Sequence, residues 1–319
     1  MVRAQATAAW RLFTFNWVPV AAMAAALAFA LPATGFSIKP ASMLFPAAVA
    51  ATLAGIYYCA RHRFQGYERA AYIVGGAMQI VLIIALMTPL TYVAAAAGLP
   101  LQDANLAALD RALGFDWRGF LGFVNDRPWL IRYLAVGYMM IAWPVFGMPV
   151  LLGACRHFNR IQQFTLAFAL ALIATTILSI LLPALGAYQQ LGLSPADYAN
   201  IKPGGYLDQL RDFPGVRDGS LRMLDLQHLV GIVTFPSFHA AAAVLYLWAL
   251  WAIWWMRPIA LLGNGLMLLA TPIGGGHYFV DVFAGIGVAV LAIAATRWIG
   301  ERVARPRDVA MPARIAVAE

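Results

Sequence analysis

Eight long apolar stretches limit what this chain can fold into. A helix needs about 20 apolar residues to cross the hydrocarbon core of a bilayer. The eight stretches lie at about 15–32, 42–60, 70–97, 130–153, 162–185, 236–256, 258–273 and 278–298. The chain is 62% hydrophobic and 11% charged, whereas about 25% charged residues is typical of a soluble domain. We therefore predict an all-α fold, a polytopic membrane bundle of about eight transmembrane helices.

The positions of the arginines predict the orientation of this bundle. If the N-terminus is cytoplasmic and all eight stretches cross, most basic residues fall on the cytoplasmic side. These are Arg3, Arg11, Arg61, Arg63, Arg69, Arg156, Arg160, Arg257, Arg297, Arg302, Arg305, Arg307 and Arg314. The rest of the chain holds similar numbers of basic and acidic residues. Because cytoplasmic loops are enriched in Lys and Arg, we expect both termini in the cytoplasm.

The net charge of +8 is thus explained by topology and does not indicate a nucleic-acid partner. The basic residues form no compact patch with interleaved aromatic residues, as a nucleic-acid surface requires. The two cysteines, Cys59 and Cys155, give neither a metal-binding pattern nor a disulfide framework. The polar segments 98–129 and 186–235 and the connector at 274–276 all fall on the outer, non-cytoplasmic face.

Two histidines lie at the outer starts of predicted spans. His239 ends the segment 234–239, which reads Thr-Phe-Pro-Ser-Phe-His, at the start of the sixth span. Free backbone N–H groups in the first turn of a helix favour an anion, and Ser237 adds a hydroxyl there. His277 follows three glycines that end at Gly276, and glycines let the backbone turn tightly and approach a ligand.

Together with these two histidines, Asp281 forms a group of side chains that could catalyse a reaction. It follows His277 by four residues, so the two side chains share one helix face. A carboxylate there can orient one ring nitrogen and leave the other as a nucleophile. An Asp inside a span is energetically costly and marks function. A divalent metal held by two His and one Asp is an alternative, but the Pro-Ser-x-His turn offers anion donors, so we expect no metal and no cofactor.

These segments resemble two motifs of the type 2 phosphatidic acid phosphatase (PAP2) superfamily. Its second motif, Pro-Ser-x-His, matches Pro236, Ser237 and His239, and the His-x-x-x-Asp of its third motif matches His277 and Asp281. The resemblance covers the chain from about residue 70 to 300. It implies a membrane enzyme that acts on a phosphate ester.

Further segments resemble one branch of that superfamily, the inositolphosphotransferase-like branch, which includes fungal inositol-phosphorylceramide synthase. These segments are residues 113–117, 217–219, 234–241 and 276–285. The resemblance predicts three regions: an N-terminal helix pair at 1–69, a PAP2-like catalytic domain at 70–300 and a basic cytoplasmic tail at 301–319.

The chain departs from the superfamily pattern at two basic positions. The first motif, Lys-x6-Arg-Pro, ends in Arg127-Pro128, but Phe120 stands where its Lys belongs. The third motif usually has an Arg six residues before its His, and Thr271 stands there. The phosphate therefore needs another cation, for which the outer loops offer Lys202, Arg211, Arg217 and Arg222. We expect Arg217, in the branch-like Arg-Asp-Gly segment, although a solvated loop arginine is the alternative.

The resemblance also implies a mechanism. His277, oriented by Asp281, would attack the phosphorus to form a phosphohistidine, and His239 would protonate the leaving oxygen. The phosphoryl oxygens would be held by Ser237, Arg217 and the backbone at Gly276. The substrate would be a phospholipid or other lipid phosphate. The acceptor would be water in a phosphatase, or an alcohol such as ceramide in a phosphotransferase of sphingolipid metabolism.

Localisation and the alternative functions follow from the same pattern. We expect a bacterial inner-membrane protein whose active site faces the periplasm. A transporter needs polar residues in several spans and broken helices near the midplane, whereas the predicted spans here are mostly Ala, Leu, Ile and Val. A non-catalytic membrane protein does not account for the His–Asp pair. Both remain as alternatives to an enzyme.

Overall fold

The computed structural model describes residues 2–62 and 68–304, which are almost entirely helical. The α-helices in these ranges are α1 (Val2–Phe15), α2 (Trp17–Ala33), α3 (Leu44–His62), α4 (Glu68–Ala95), α5 (Asp103–Ala112), α6 (Trp117–Asn125), α7 (Pro128–Met139), α8 (Ala142–Ala154), α9 (Phe158–Leu181), α10 (Ala187–Gln190), α11 (Gly204–Asp218), α12 (Phe238–Leu250), α13 (Arg257–Gly275) and α14 (Phe279–Ala304). Short 3-10 helices lie at Pro40–Met43, Pro195–Tyr198 and Trp254–Met256. Strands β1 (Ser37–Ile38) and β2 (Met223–Leu224) pair in parallel. The all-α prediction is confirmed for the described residues.

Six helical stretches in the described part of the chain are long and apolar enough to cross a membrane. They are Ala8–Ala33, Pro40–His62, Arg69–Ala95, Phe158–Leu181, Trp254–Gly275 and Phe279–Val303. The bent pair α7–α8 raises the number to seven if it counts as one span. The structure therefore supports an integral membrane protein with several spans. The number of eight stays a prediction, and residues 305–319 of the predicted tail lie outside the described residues.

The fourth predicted span is interrupted by a bend between α7 and α8. The segments Pro128–Met139 and Pro144–Ala154 meet at 66°. Pro144 has no N–H to donate to the carbonyl of Met140, which removes a helical hydrogen bond at the break. On the α7 side, Gly137 allows close contact with α13, because a Cβ there would lie 2.9 Å from the Leu266 carbonyl oxygen. Helix α7 therefore stays packed on α13 while α8 turns away.

Helix α12 is shorter than the span predicted at 236–256. It has 13 residues, whereas its neighbours α9 and α14 have 24 and 26. At 1.5 Å per residue its length is about 20 Å, less than the hydrocarbon thickness of about 30 Å. The chain then turns and forms the 3-10 helix Trp254–Met256 before α13 begins. This helix therefore covers only part of the thickness that its neighbours cover.

Small residues let α12 approach the helices around it. Ala240, Ala241, Ala242 and Ala243 are all buried, and α12 contacts α9, α13 and α14. A Cβ on Gly285 of α14 would lie 2.2 Å from the carbonyl oxygen of Ser237, the residue before α12. Small residues are common where membrane helices meet because they allow the backbones to come close. The start of α12 is thus fixed against the first half of α14.

Buried amides join the N-terminal helices to the rest of the bundle. The Asn16 side-chain amide donates to the backbone carbonyl of Gln162 at 3.1 Å and to its side-chain oxygen at 3.2 Å. The Gln79 amide donates to the Phe13 carbonyl at 2.9 Å. A polar group left unpaired among apolar helices is costly, so these bonds resist separation of the two regions. The boundary predicted between residues 69 and 70 stays a prediction.

The two polar segments, 98–129 and 186–235, fold onto the same end of the bundle. They form α5 and α6, and α10 and α11, respectively. Their aromatic side chains cluster with the connection between α13 and α14 through Trp117, Tyr188, Tyr198, Tyr206 and Tyr278. The pairing of β1 with β2 and an ion pair between Lys39 and Asp225 at 3.1 Å bring the loop after α2 to this end as well. The segments that the charge pattern placed on one face thus lie together.

Reporter fusions test whether α9 crosses the membrane. Because α9 separates Arg160 from the segment 186–235, a reporter fused after Arg160 and one fused after Ser220 should report opposite sides. Alkaline phosphatase and green fluorescent protein fusions, which are active on opposite sides of a bacterial inner membrane, make the measurement. The same side for both fusions would overturn this arrangement of helices.

Candidate active site

Ser237 determines where α12 begins. It is the N-cap of the helix, and its buried hydroxyl accepts a hydrogen bond from the Ala240 N–H at 3.3 Å. Ser is among the residues most favoured at this position. Ala241 N–H donates to the Ser237 carbonyl, which leaves the N–H groups of Phe238 and His239 without acceptors among the described residues. His239 is the second residue of α12, so its ring stands beside two free backbone donors.

Gly276 determines how the chain passes from α13 to α14. It ends α13 with a φ of 69°, in the left-handed region that favours glycine. A Cβ there would lie 3.1 Å from the rings of both Tyr188 and Tyr206. The Gly276 carbonyl accepts from the Ala187 N–H at 2.8 Å. His277 and Tyr278 then link the two helices, so His277 lies on a short, tightly held connection rather than on a helix.

His277 and Asp281 form the pair that their spacing predicts. The Nδ1 atom of His277 lies 3.4 Å from Oδ2 of Asp281, and the two side chains are 4% and 0% exposed. The same Oδ2 accepts from the Tyr278 N–H at 2.9 Å, which holds the carboxylate towards the connection. The Asp281 carbonyl accepts from the Ser237 N–H at 3.0 Å. The Asp281 backbone thus ties the start of α14 to the start of α12.

His239 lies next to this pair. The centroids of the His239 and His277 rings are 6.4 Å apart. On its other side, the His239 ring stacks on Tyr138 of α7, with centroids 4.1 Å apart and planes 12° apart. Within the described residues, Nε2 of His239, Nδ1 of His277 and Oδ1 of Asp281 are buried and make no hydrogen bond. Three unpaired polar atoms in adjacent side chains are unusual and indicate a functional site.

Two buried carboxylates of α5 hold the His277 connection from outside. Asp110 accepts from the N–H groups of Phe279 and Val280, both at 2.9 Å, and a carboxylate at a helix N-terminus is favourable. Burial raises the pKa of Asp110, and these two N–H groups oppose that effect. Asp103 accepts from the Tyr278 hydroxyl at 2.9 Å and from the Gly186 N–H at 2.7 Å. Helix α5 therefore fixes Tyr278, Phe279 and Val280, the residues that directly follow His277.

Aromatic hydrogen bonds add to this support. The Trp117 indole N–H donates to the His277 carbonyl at 3.0 Å, and the Tyr188 hydroxyl donates to the Ile273 carbonyl at 3.0 Å. Tyr188 also packs on the rings of Trp117 and Tyr206, each with centroids 4.8 Å apart. The backbone on both sides of His277 therefore has few alternative positions.

Both histidines line a cavity of about 830 Å³ that is mostly apolar. Ile84 and Met87 of α4, Phe168 and Leu172 of α9 and Tyr246 of α12 line its deeper part. Gly275 keeps space beside the His277 ring, because a Cβ there would lie 2.8 Å from Nε2 of His277. Arg132 and Lys202 line this cavity, as does Asp208, whose carboxylate pairs with Arg211 at 3.0 Å. The cavity thus combines two histidines, positive charge and a long apolar wall.

The structure brings only some of the predicted site residues into this cavity. His239 and His277 line it, whereas Ser237, Gly276 and Asp281 lie behind them as supports. Arg217 is not brought to the cavity, since its guanidinium donates to the carbonyls of Gly98 and Leu99 at 3.3 and 2.9 Å.

The other basic positions considered for the phosphate are also engaged elsewhere, apart from Lys202. Arg127 donates to the Phe123 carbonyl at 2.7 Å. Arg211 pairs with Asp208 and Asp212 at 3.0 and 2.7 Å. Arg222 donates to the Val216 and Leu221 carbonyls. The Thr271 hydroxyl donates to the Met267 carbonyl one turn earlier in α13, so it does not replace the missing arginine.

Sequence reasoning did not find Asp103, Asp110 or Tyr138. Each of them is more than 90 residues away from His239 and His277 in the sequence, so no local spacing links them to either histidine. Among the described residues, no group of three or more His, Cys, Asp or Glu is arranged to hold a metal ion. The expectation of a metal-free site stays a prediction.

Removing the Asp110 carboxylate should destabilise the protein. Asp110→Ala deprives the Phe279 and Val280 N–H groups of their acceptor, and a hydrogen bond to a charged group contributes about 1.5–3 kcal/mol. We expect a clearly lower midpoint of thermal unfolding in detergent, with a smaller loss for Asp110→Asn, which keeps one oxygen. Asp126→Ala is the matched control, because the Asp126 side chain is exposed and makes no hydrogen bond within the described residues. Equal midpoints for the Asp110→Ala and Asp126→Ala variants would contradict the supporting role of Asp110.

The comparison with protein families agrees with the geometry of this site. A family model described as the PAP2 superfamily matches residues 104–295, which is more than half of the 319 residues. The matched region runs from α5 into α14 and includes both histidines and Asp281. The comparisons with curated proteins and with solved structures gave no match. The superfamily prediction is confirmed, whereas the match does not distinguish a branch: the chain belongs to the PAP2 superfamily.

Proposed function

We propose that this protein is a lipid-phosphate phosphatase or phosphotransferase that acts through a phosphohistidine on His277. Membership in the PAP2 superfamily points to phosphatase-type chemistry. The observation that carries the proposal is the arrangement of two buried histidines on one apolar cavity, with Asp281 3.4 Å from one of them. Neither a transporter nor a scaffold requires this arrangement of unpaired polar atoms.

The first chemical step uses the two nitrogens of His277 differently. Asp281 faces Nδ1, which leaves Nε2 to attack the phosphorus of the lipid phosphate. As the N–P bond forms, the bond from phosphorus to the lipid oxygen breaks, and His239 gives that oxygen a proton. His239 then accepts a proton from water or from an alcohol that attacks the phosphohistidine, and Nε2 of His277 leaves.

Backbone donors and two side chains offer positive charge to the phosphoryl oxygens. The free N–H groups of Phe238 and His239 lie at the start of α12, where the helix dipole favours an anion. Arg132 and Lys202 line the same cavity and make no ion pair among the described residues. We assign to these two side chains the role that sequence analysis gave to Arg217.

The apolar part of the cavity supports a lipid substrate. Its deeper lining comes from side chains of α4, α9 and α12, such as Met87, Leu172 and Tyr246. Tyr246 follows His239 by seven residues, so the wall continues for about 10 Å along α12. A hydrocarbon chain buried there would gain about 25 cal/mol per Å² of apolar surface removed from water. A small water-soluble phosphate ester would leave this wall unused.

The branch, the acceptor and the orientation complete the proposal. Resemblance in residues 113–117 and 217–219 supports the inositolphosphotransferase-like branch, with ceramide or another alcohol as acceptor. The arginine distribution supports a cytoplasmic C-terminus and an active site on the periplasmic side of a bacterial inner membrane. Incubation with phosphate-labelled phospholipids, with and without ceramide, distinguishes hydrolysis from transfer by the product that carries the label.

Loss of the nucleophile should abolish turnover. We expect His277→Ala to release or transfer no labelled phosphate above background and to form no acid-labile phosphoprotein. His239→Ala should lose about 10²–10⁴-fold, the usual contribution of a general acid–base group. Vanadate, which mimics pentacoordinate phosphorus, should inhibit the wild-type protein.

His228→Ala is the matched control for these variants. The His228 side chain is 78% exposed, lies 3.5 Å from Asp225 and does not line the cavity, so its removal should leave turnover unchanged. Retained activity in a folded His277→Ala protein would overturn the assignment of the nucleophile.

Substitutions of the basic residues test which of them bind the phosphate: Arg132 and Lys202, which line the cavity, or Arg217, which does not. Arg132→Gln and Lys202→Gln should each lower kcat/KM by about tenfold or more, because a charge-assisted hydrogen bond contributes about 1.5–3 kcal/mol. Arg217→Gln should have a smaller effect, since Arg217 binds backbone carbonyls outside the cavity. A larger loss for Arg217→Gln than for both other variants would restore the expectation from sequence.

A further inference from the structure

A second cavity lies at the opposite end of the bundle from the histidines. It has a volume of about 500 Å³ and lies between α9, the end of α12 and the second half of α14. Arg160 and Arg297 line it, together with Leu247, Trp248, Trp251 and Ile293, and we refer to it as the arginine groove. Arg297 follows Phe279 by 18 residues of α14, which is about 27 Å of helix. Arg297 is therefore separated from the start of α14 by nearly the thickness of the hydrocarbon core.

The two arginines of the groove lack a counter-charge. Neither guanidinium makes an ion pair or a hydrogen bond with another described residue. The Arg160 guanidinium stacks on the Trp248 ring at 4.4 Å from its centroid, which fixes its position without neutralising it. Glu301, four residues after Arg297, forms no ion pair among the residues that the structure describes. Two like charges that line one groove repel each other, so an anion bound between them would relieve that repulsion.

The walls of the groove are apolar, so they favour an anion that carries hydrocarbon chains. Leu247 of α12 and Ile293 of α14 line it, and both helices belong to the membrane bundle. A free inorganic anion would gain nothing from these side chains. A phospholipid, in contrast, would place its acyl chains along them while its phosphate met the arginines.

The surroundings place the groove at the level of lipid headgroups. Trp251, Trp254 and Trp298 are 46%, 75% and 55% exposed at this end of the bundle. Tryptophan is enriched where a membrane protein meets the interface between lipid and water. Arg257 and Arg302 stack on Trp251 and Trp298, with the guanidinium carbon 5.3 and 3.9 Å from the ring centroids. Basic pockets between membrane helices at such an interface bind anionic lipid headgroups.

We propose that the arginine groove binds one anionic phospholipid, with its phosphodiester between Arg160 and Arg297 and its acyl chains along α12 and α14. The planar guanidinium matches phosphate oxygens through paired N–H donors. A headgroup with a net negative charge is favoured over a zwitterionic one, because an ammonium group beside two arginines would add repulsion. The site lies apart from the histidines and does not require that the proposed reaction takes place.

Such a lipid would join helices that carry the candidate active site. Arg160 belongs to α9, Trp248 to α12 and Arg297 to α14. Helix α12 begins beside His239, and α14 carries Asp281 near its start. Because one bound molecule would contact all three helices, it should stabilise the folded protein according to its concentration and affinity.

Lipid binding by the purified full-length protein tests this inference. The protein in detergent is titrated with phosphatidylglycerol, phosphatidylcholine or inorganic phosphate, and native mass spectrometry counts the bound molecules while thermal unfolding follows stability. We expect one retained phosphatidylglycerol and a raised unfolding midpoint, weaker retention of phosphatidylcholine, and no effect of inorganic phosphate. Equal retention of the two lipids by the wild-type protein would overturn the inference without any variant.

Variants then locate the lipid. Arg160→Gln and Arg297→Gln should each weaken phosphatidylglycerol binding about fivefold, the usual contribution of one basic residue at a lipid surface. Arg302→Gln is the matched control, because Arg302 lies on α14 at the same end but does not line the groove. Lys202→Gln, which removes a cation from the histidine cavity, should bind this lipid as the wild type does, which distinguishes the groove from the active site. A loss in the Arg302→Gln protein as large as in the Arg160→Gln and Arg297→Gln proteins, or a loss only in the Lys202→Gln protein, would overturn the assignment.

Discussion

Two buried carboxylates on α5 hold the segment on which the candidate active site depends. Asp110 binds the first N–H groups of α14, and Asp103 binds the Tyr278 hydroxyl and the backbone at residues 185–186. His277 directly precedes the residues that these carboxylates bind, Tyr278, Phe279 and Val280. A histidine that attacks phosphorus must be held in one orientation, since misplacement by about 1 Å is costly for catalysis. Helix α5, which lies in one of the polar segments between the long helices, therefore supports the position of the proposed nucleophile.

Several buried polar atoms of the candidate active site have no hydrogen-bond partner among the described residues. His239, His277 and Asp281 carry buried polar atoms that have no partner among the described residues, and burial of an unpaired polar group is unfavourable. The surrounding helices are strongly apolar, so little else compensates these groups. Arg132 and Lys202 add positive charge at the same cavity. A phosphate group would supply acceptors to the free N–H donors and negative charge to the cations, which makes an anion the natural complement.

The sequence predicts those features of the structure that depend on residues close together in the chain, and it does not predict contacts between distant residues. Hydropathy identified the long helices, because a stretch of about 20 apolar residues is stable mainly as a helix across the membrane. The spacing of His277 and Asp281 predicted their contact even though His277 lies before the helix. Arg217 illustrates the opposite case: its segment resembles a family pattern, but its position depends on α11 packing near residues 98–99. Tertiary packing alone brings Asp103, Asp110 and Tyr138 to the site, and such contacts cannot be predicted from the spacing of residues along the chain.

The apolar wall beneath the histidines also bears on the fate of a phosphohistidine. Apart from threonines of α4 and α9, the side chains of these helices that line the cavity are apolar, so little bulk water would remain there while a hydrocarbon chain fills it. The intermediate would then persist until a hydroxyl group arrives beside His239. Whether that hydroxyl belongs to water or to another lipid is decided by which of the two can reach the cavity, and not by the reacting side chains. Hydrolysis and transfer would thus be two outcomes of one kinetic competition, shifted by the solvation of a single pocket.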